Sequence, residues 1–151
     1  MTPIVVHSEH GYRTAINIRQ HTIIADELIQ DGGTDTGPTP MEILLGTAGA
    51  CIAVTTRAYA QRKNWPLEGV SVELDMKRIR REDYPAYTGD SAFITEIQEH
   101  IHFEGPLTEE QKARLMVIAG KCPVHLTLRD PVLFVESQIN EERLLQTDEQ
   151  H

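Results

Sequence analysis

One segment constrains the fold of this chain more than any other: a helical pattern from Met41 to about Lys63 with very small residues at its centre. Apolar and small residues recur there at spacings of three and four, as on one face of a helix. Gly46 and Gly49 lie in the middle, and each costs a helix roughly 1 kcal/mol relative to alanine. About 23 residues at roughly 1.5 Å each give a helix about 35 Å long. We therefore predict a long helix that is central or lies at a subunit interface, with a neighbour in close approach.

The residues before and after this segment have the patterns of β-strands. Residues 1–30 contain short β-branched runs, which predict N-terminal strands, and residues 31–40 form a loop rich in glycine and proline. Residues 68–104 alternate between apolar and polar side chains in two stretches, as in a pair of half-buried antiparallel strands. A β-prone run at 132–135 predicts a last strand.

Capping residues mark where the helices begin. Thr39 is suited to cap the long helix, with Pro40 as its first helical residue, and we place this helix at 39–64. The sequence TEEQ at 108–111 is a capping-box pattern that opens a second helix at 108–122. A proline directly after residue 122 limits the continuation of that second helix.

The order of these elements predicts an α+β fold. A chain of 151 residues has the usual size of one domain, so we predict a single domain over residues 1–151. The last residues, 141–151, are an acidic tail.

Charge and hydropathy argue against several classes of protein. Lys and Arg number 14 against 23 Asp and Glu, and the net charge of −9 disfavours a sequence-independent grip on nucleic acid or on an anionic membrane. No uninterrupted apolar run approaches about 18 residues, so no transmembrane helix is expected. The N-terminal sequence lacks the basic and apolar regions of a secretory signal. We expect a cytoplasmic protein with neither a nucleic acid partner nor a membrane partner.

The chain has two cysteines, Cys51 and Cys122. A disulfide-stapled secreted scaffold normally carries more, and the absence of a CxxC sequence excludes a thioredoxin motif and a four-cysteine zinc site. Cys51 lies on the apolar stripe of the long helix, where a small buried hydrophobe and a reactive thiol are both open interpretations.

If both thiols face one site, a reaction with peroxide is the natural chemistry for them. A thiolate attacks the O–O bond and becomes a sulfenic acid, which a second thiol resolves to a disulfide.

The residues around both cysteines resemble one known family. The sequence GPTPMEILLGTAGAC at 37–51, followed by KCPV at 121–124, is similar to the OsmC/Ohr family of osmotically induced and organic-hydroperoxide-resistance proteins. The segment HTIIADE at 21–27 looks most like a less studied branch of that family. The resemblance implies antiparallel sheets around a long central helix, in an intertwined homodimer with active sites at the dimer interface.

The resemblance also implies a reaction. In the peroxidase members, the cysteine at the position of Cys51 attacks an organic hydroperoxide, and the cysteine at the position of Cys122 resolves it. An arginine from the N-terminal strands supports the reactive thiolate; Arg19 is the best match for it and Arg13 a weaker rival. The usual reductant of the family is a dithiol of the lipoyl type. No cofactor and no metal ligand is expected in this cycle.

One position departs from the family pattern. The family has a glutamate that holds the arginine, ten residues before the reactive cysteine, and this chain has Met41 there. Glu42 is adjacent, but nine residues at about 100° each place it on the far side of the helix from Cys51, where a helix-start charge fits better. Glu42, His21 and His125 are the candidate supporting residues. The CPVH sequence could bring the His125 imidazole close to a thiol and activate it, or His125 could be a surface turn residue.

Three hypotheses for the function follow. The first is a thiol-dependent peroxidase that reduces organic hydroperoxides in oxidative or osmotic stress defence; an apolar pocket would favour alkyl hydroperoxides over hydrogen peroxide. The second is a stress-related or redox-sensing binding protein of the same fold without efficient peroxidase activity, which Met41 favours. The third is a metal-binding module that uses Cys122, His125 and another histidine. His100 and His102, two apart on one strand, could also chelate a metal or simply be solvated.

Overall fold

The structure is a computed structural model that describes residues 3–8, 10–130, 132–136 and 138. Its contacts divide the chain into two compact units, Met1–Leu44 with Val132–His151, and Leu45–Pro131. The prediction of a single domain over 1–151 stays a prediction. The described part is a mixed α+β structure with two antiparallel sheets and one long helix, as the sequence predicts.

The first unit contains a three-stranded antiparallel meander. Its strands are β1 (Val5–Ser8), β2 (Thr14–Ile18) and β3 (His21–Ala25), in the order β1-β2-β3. The register pairs Val5 with Asn17 and Thr14 with Ala25. These β-branched runs lie where short N-terminal strands are predicted.

A buried carboxylate organises the loop that follows β3. Asp26 is 1% exposed, and its side chain accepts hydrogen bonds from the backbone N–H groups and hydroxyls of Thr34 and Thr36 and from the backbone N–H of Glu27. The hydrogen bond from the Thr34 side chain, together with the other hydrogen bonds, holds the pKa of Asp26 well below its usual range, although burial opposes that shift. The glycine- and proline-rich loop is therefore fixed around one charge.

The long helix α1 spans Pro40–Arg62. It begins with a reciprocal cap: Thr39 Oγ1 accepts a hydrogen bond from the Glu42 N–H at 3.3 Å, and Glu42 Oε2 accepts one from the Thr39 N–H at 2.7 Å. Pro40 is the first helical residue, as predicted, where its missing N–H costs nothing.

The second unit is built on a hairpin of two twelve-residue antiparallel strands, β4 (Gly69–Arg80) and β5 (Phe93–Glu104). Gly69 pairs with Glu104 and Arg80 with Phe93. Helix α1 approaches β4 closely at Gly49, where an added Cβ would come within 2.8 Å of Leu74 Cδ1. This approach explains why a glycine occupies a buried position in the middle of a helix.

Two shorter helices follow the hairpin. Helix α2 (Glu109–Ala119) begins with the predicted capping box between Thr108 and Gln111. It ends three residues before the predicted end at 122, and a further helix, α3 (Pro123–Arg129), begins after a turn of three residues, 120–122. From the sequence, Pro123 is expected to limit α2, whereas a proline is equally suited to the first turn of a new helix. Cys122 is therefore the N-cap of α3.

The apolar interior of this unit forms two clusters. One groups Ala60, Phe103, Leu107 and Leu115, with Tyr59 and Trp65 packed against it. The other groups Ile52, Ala119 and Cys122, with Cys51 and Val72 among its partly buried neighbours. Both cysteines thus belong to the second cluster, which joins the middle of α1 to the end of α2.

Of the two predictions for the C-terminal part of the chain, one is wrong and the other is untested. The strand predicted at 132–135 is absent: these residues have no regular structure, and Leu133, Phe134 and Val135 are each more than 80% exposed. The sequence identifies a β-prone run, but a strand requires a neighbour to pair with, and this run has none in the described part. The acidic tail at 141–151 lies outside the described residues.

Helix α1 differs from the expectation that the chain has no segment able to cross a membrane. Helix α1 is long enough, at 23 residues, and apolar enough, at a mean hydropathy of 1.3 over its best window, to cross a membrane by length and composition alone. Small and polar residues interrupt its apolar runs, so a criterion of uninterrupted residues misses it. The core helix of a soluble protein passes the same test, so this is weak evidence for a membrane span.

Candidate functional site

The two cysteines meet in the structure, although 71 positions separate them in the sequence. Cys51 is half-buried on α1 and packs against the cluster that contains Cys122. The Cys51 side chain lies near enough to raise the pKa of Cys122, and both cysteines are free thiols. The candidate site therefore contains a pair of free thiols in contact, one partly accessible and one enclosed.

Cys122 is the enclosed member of the pair, with 0% of its surface exposed. Burial raises the pKa of this thiol, and so do the side-chain interaction with Cys51, in which the protonated Cys122 is the donor, and the charges of Cys51 and Glu99. The backbone N–H of His125, which donates to Cys122 Sγ at 3.2 Å, acts in the opposite direction. Because the raising causes dominate, Cys122 is a protonated thiol at neutral pH.

His125 links this thiol to a carboxylate. Its ring nitrogen Nδ1 lies 3.2 Å from Oε1 of Glu99, which projects from β5. Both side chains are partly buried, at 31% and 21% exposure. A carboxylate accepts hydrogen bonds, so the proton of a neutral imidazole belongs on Nδ1, which leaves Nε2 as an acceptor.

A cavity of about 420 Å³ adjoins this pair of side chains. Glu99, His125, Glu96 and Arg129 contribute its charged or titratable groups. Its apolar lining consists of Ala48, Ile79, Tyr84, Ile94, Ile97 and Leu128. Ala48 lies one helical turn before Cys51 on the same face of α1, so the cavity extends to within a turn of the thiol pair.

Sequence reasoning missed Glu99, although its pattern carried a signal. Ile97, Glu99 and Ile101 occupy alternate positions of β5 and are all partly buried, so they share the inward face of the strand. A carboxylate at an inward position between two isoleucines breaks the apolar alternation. Such a break marks a side chain that needs a polar partner, here His125.

The remaining predicted site residues of the N-terminal strands belong to the first unit. Arg19 lies in the β2–β3 turn with a positive φ of 54° and is exposed, and His21 begins β3 and is also exposed. Arg13, the weaker rival, is exposed before β2. A catalytic role for Arg19 or His21 stays a prediction.

Glu42 has a defined structural task. Its carboxylate is bound to the backbone N–H of Thr39 in the helix cap described above, as expected of a helix-start charge. Met41, at the position of the family glutamate, is 45% exposed.

The histidines predicted as alternative metal ligands lie elsewhere. His100 and His102 are exposed on the outer face of β5, where His100 pairs with Glu73 and His102 with Ser71. Within the described ranges, no group of three or more His, Cys, Asp or Glu side chains is arranged to hold a metal ion.

These features define a small α+β protein with a thiol pair between a long helix and a helix N-terminus. Residues 33–136 match the OsmC-like protein family, which covers more than half of the chain. The chain therefore belongs to the OsmC-like family. A search of curated proteins finds no significant match.

Solved structures with the same fold include proteins from several bacteria. An OsmC-like protein from Mycoplasma pneumoniae is 21% identical with a TM-score of 0.66, covering 84% of this chain and 86% of that one. The organic hydroperoxide resistance protein OhrB of Bacillus subtilis is 17% identical with a TM-score of 0.59, covering 87% and 93%. The organic hydroperoxide resistance protein OsmC from Legionella pneumophila is 17% identical with a TM-score of 0.61, covering 85% and 90%. At these identities the likeness shows the fold.

Proposed function

We propose that this chain is a thiol-dependent peroxidase that reduces organic hydroperoxides in stress defence. The Cys51 thiolate attacks the O–O bond of the hydroperoxide, forms an S–O bond and releases the alcohol after the alkoxide takes up a proton. The Cys122 sulfur then displaces the hydroxyl from the Cys51 sulfenic acid, which gives a disulfide and water. An external dithiol, of the lipoyl type in the family, returns both cysteines to thiols.

The observation that carries this proposal is the contact between the two thiols. A two-cysteine cycle requires sulfurs that can bond without rearrangement of the fold, and the packing of both cysteines in one buried cluster supports this. Their different exposure fits the two roles, because the attacking sulfur must be reached by substrate and the resolving sulfur only by its partner.

The cavity supports the substrate class. Its six apolar side chains would release water on binding an alkyl or aryl group, whereas hydrogen peroxide gains nothing from them. We therefore expect organic hydroperoxides to be preferred. The supporting roles of Arg19 and His21 belong to this proposal, with Arg19 as the cation for the reactive thiolate.

We further propose a cytoplasmic homodimer formed by one OsmC-like domain per chain, as the family resemblance implies. The exposed side of α1 supports the dimer, because Gly46, Ala50 and Val54 are all exposed at a spacing of four, and Val54 is 68% exposed. The exposed apolar run at 132–135 is a second surface that a partner would cover.

The proposal is tested by adding one equivalent of cumene hydroperoxide to the reduced protein and measuring intact and peptide masses. We expect rapid loss of two hydrogens, mapped to a Cys51–Cys122 disulfide. Cys122→Ser should stop at a Cys51 sulfenic acid that dimedone traps, whereas Cys51→Ser should leave Cys122 reduced. A Cys51→Ser protein with full activity would refute the proposal.

A second candidate function is a redox-sensing or stress-related binding protein of the same fold. The exposed Met41 and the engagement of Glu42 in a helix cap favour it, because neither side chain is set to hold an arginine as the family glutamate does. Two unchanged thiols after peroxide treatment, in folded protein, would select this candidate.

A further inference from the structure

The resolving step of the proposed cycle has a proton to move. Cys122 attacks as a thiolate, yet this sulfur is fully enclosed and its pKa is raised by burial and by nearby negative charge. The hydroxyl that leaves the Cys51 sulfenic acid needs a proton to become water. An enclosed thiol therefore requires a neighbouring base that takes its proton and then returns it to the leaving oxygen.

The groups around Cys122 offer one such base. The charged or titratable neighbours are Cys51 from α1, Glu99 from β5 and His125 from α3. The residues that β4 and α2 contribute to the same cluster, Val72 and Ala119, are apolar. Of the three neighbours, only His125 combines a backbone N–H bonded to Cys122 Sγ with an imidazole whose tautomer is fixed by a carboxylate.

We propose that Glu99 and His125 form a proton-transfer pair that serves Cys122 in the resolving step. Glu99 holds the Nδ1–H of His125, so that Nε2 is left free to accept the proton of Cys122, directly or through one water, as its sulfur attacks Cys51. The S–S bond forms, the S–O bond breaks, and the proton passes from His125 to the departing hydroxyl as water. No net proton is taken up, and the hydroperoxide is the only oxidant. Glu99 is the positioning residue of this pair.

This inference rests on the proposed peroxidase cycle but concerns only its second step. It predicts that the ring of His125 and the charge of Glu99 leave sulfenic acid formation unchanged and control disulfide formation. His125→Ala is a clean variant, because alanine retains the backbone N–H that donates to Cys122. The effect of the ring is thereby separated from that of the cap.

The matched control is a second glutamate–histidine pair of the same hairpin. Glu73 on β4 lies opposite His100 on β5, and both side chains are exposed on the outer face. Glu73→Gln and His100→Ala make the same chemical changes away from the thiols, so both control variants should resolve as the wild-type protein does.

The experiment follows both steps by quenched flow after mixing reduced protein with cumene hydroperoxide. Dimedone trapping reports the sulfenic acid, and peptide mass reports the disulfide. We expect Glu99→Gln and His125→Ala to form the sulfenic acid at the wild-type rate and the disulfide more slowly by a factor of roughly 100 or more. Added imidazole should restore part of the His125→Ala rate, which a purely structural role would not allow.

The sign of the Glu99→Gln effect separates this proposal from a simple field effect. If Glu99 acted only through its charge, its neutralisation would make the Cys122 thiolate easier to form and would speed the disulfide step. A faster or unchanged step in Glu99→Gln would therefore overturn the inference, as would an equal loss in Glu73→Gln.

The pH profile gives an independent readout. The disulfide step of the wild-type protein should depend less on pH than that of His125→Ala, because the pair takes the proton. In His125→Ala the rate should keep rising with pH, because the raised pKa of Cys122 leaves its ionisation to the solvent. Identical profiles would contradict the inference and leave the peroxidase cycle standing. A wild-type protein that forms neither species would refute both.

Discussion

The backbone N–H of His125 donates a 3.2 Å hydrogen bond to the sulfur of Cys122, so this enclosed thiol is also the N-cap of helix α3. Serine, threonine, aspartate and asparagine usually occupy such a position. Here one sulfur atom satisfies a free N–H at a helix start and lies in contact with a second thiol. The start of α3 and the chemistry of the thiol pair therefore depend on the same atom.

Replacement of Cys122 should reveal the capping role apart from any redox role. Cys122→Ala removes the acceptor of the His125 N–H and leaves a small void, whereas Cys122→Ser retains an acceptor. We expect Cys122→Ala to be the less stable of the two by about 1 kcal/mol. Urea unfolding of both proteins under reducing conditions measures the difference, and equal midpoints would show that the sulfur does not act as a cap.

Gly49 should tolerate a methyl group only if Leu74 becomes shorter. An added Cβ would lie 2.8 Å from Leu74 Cδ1, so Gly49→Ala forces that side chain to move, at about 1 to 3 kcal/mol. Leu74→Val removes the clashing methyl group. We expect the double variant to be more stable than the sum of the two single changes predicts, as measured by a double-mutant cycle in urea. Strict additivity would mean that the clash is relieved elsewhere.

Asp26 should make the free energy of unfolding of the first unit depend on pH. Its folded-state pKa lies below the unfolded value, so its contribution is fully present above about pH 4 and is lost as the pH falls through the folded-state pKa. Asp26→Asn should therefore be less stable than the wild-type protein at neutral pH, and the gap should narrow in acid. Thermal unfolding from about pH 7 down to about pH 2.5 tests this range.

The exposed Asp31 provides the matched control for that experiment, since it carries the same charge in the same loop. Asp31→Asn should change the unfolding temperature by much less at every pH. A gap between Asp26→Asn and the wild-type protein that does not vary with pH would contradict the role of the buried charge.

The exposed side of α1 should decide the oligomeric state. Val54→Asp places a charge on the face that contains Gly46 and Ala50, where a helix of a second copy would pack. We expect wild-type protein to elute as a dimer and Val54→Asp as a monomer, with mass measured by light scattering. Met116→Asp, the same change at an exposed apolar residue of α2, should leave the mass unchanged. A dimeric Val54→Asp protein would place the interface elsewhere.

Local signals in the sequence predict much of this fold. The Thr39 and Thr108 caps fix where two helices begin. In each cap the threonine hydroxyl and the side chain of the glutamate or glutamine three residues later accept hydrogen bonds from backbone N–H groups within one helical turn. The alternation of 68–104 similarly predicts the hairpin, because apolar and polar side chains segregate to its two faces. Such patterns require no knowledge of distant contacts.

Features that depend on distant residues escape the same reasoning. Glu99 enters the site only because β5 and α3 bring its carboxylate to the His125 ring. Helix α3 is missed because Pro123 is compatible with both the end of one helix and the start of another. The contact between Cys51 and Cys122 is implied by the family resemblance, but the spacing of 71 residues does not reveal it.

The small residues at the centre of α1 also affect how the chain folds. A segment with Gly46 and Gly49 has little tendency to persist as a helix in an unfolded chain, where nucleation is already unfavourable. Its central turns become stable only when Leu74 and Val72 of β4 are in place against Gly49. We expect the middle of α1 to form together with the docking of the β4–β5 hairpin, so that changes in the hairpin slow the formation of the helix and refolding has a single cooperative phase.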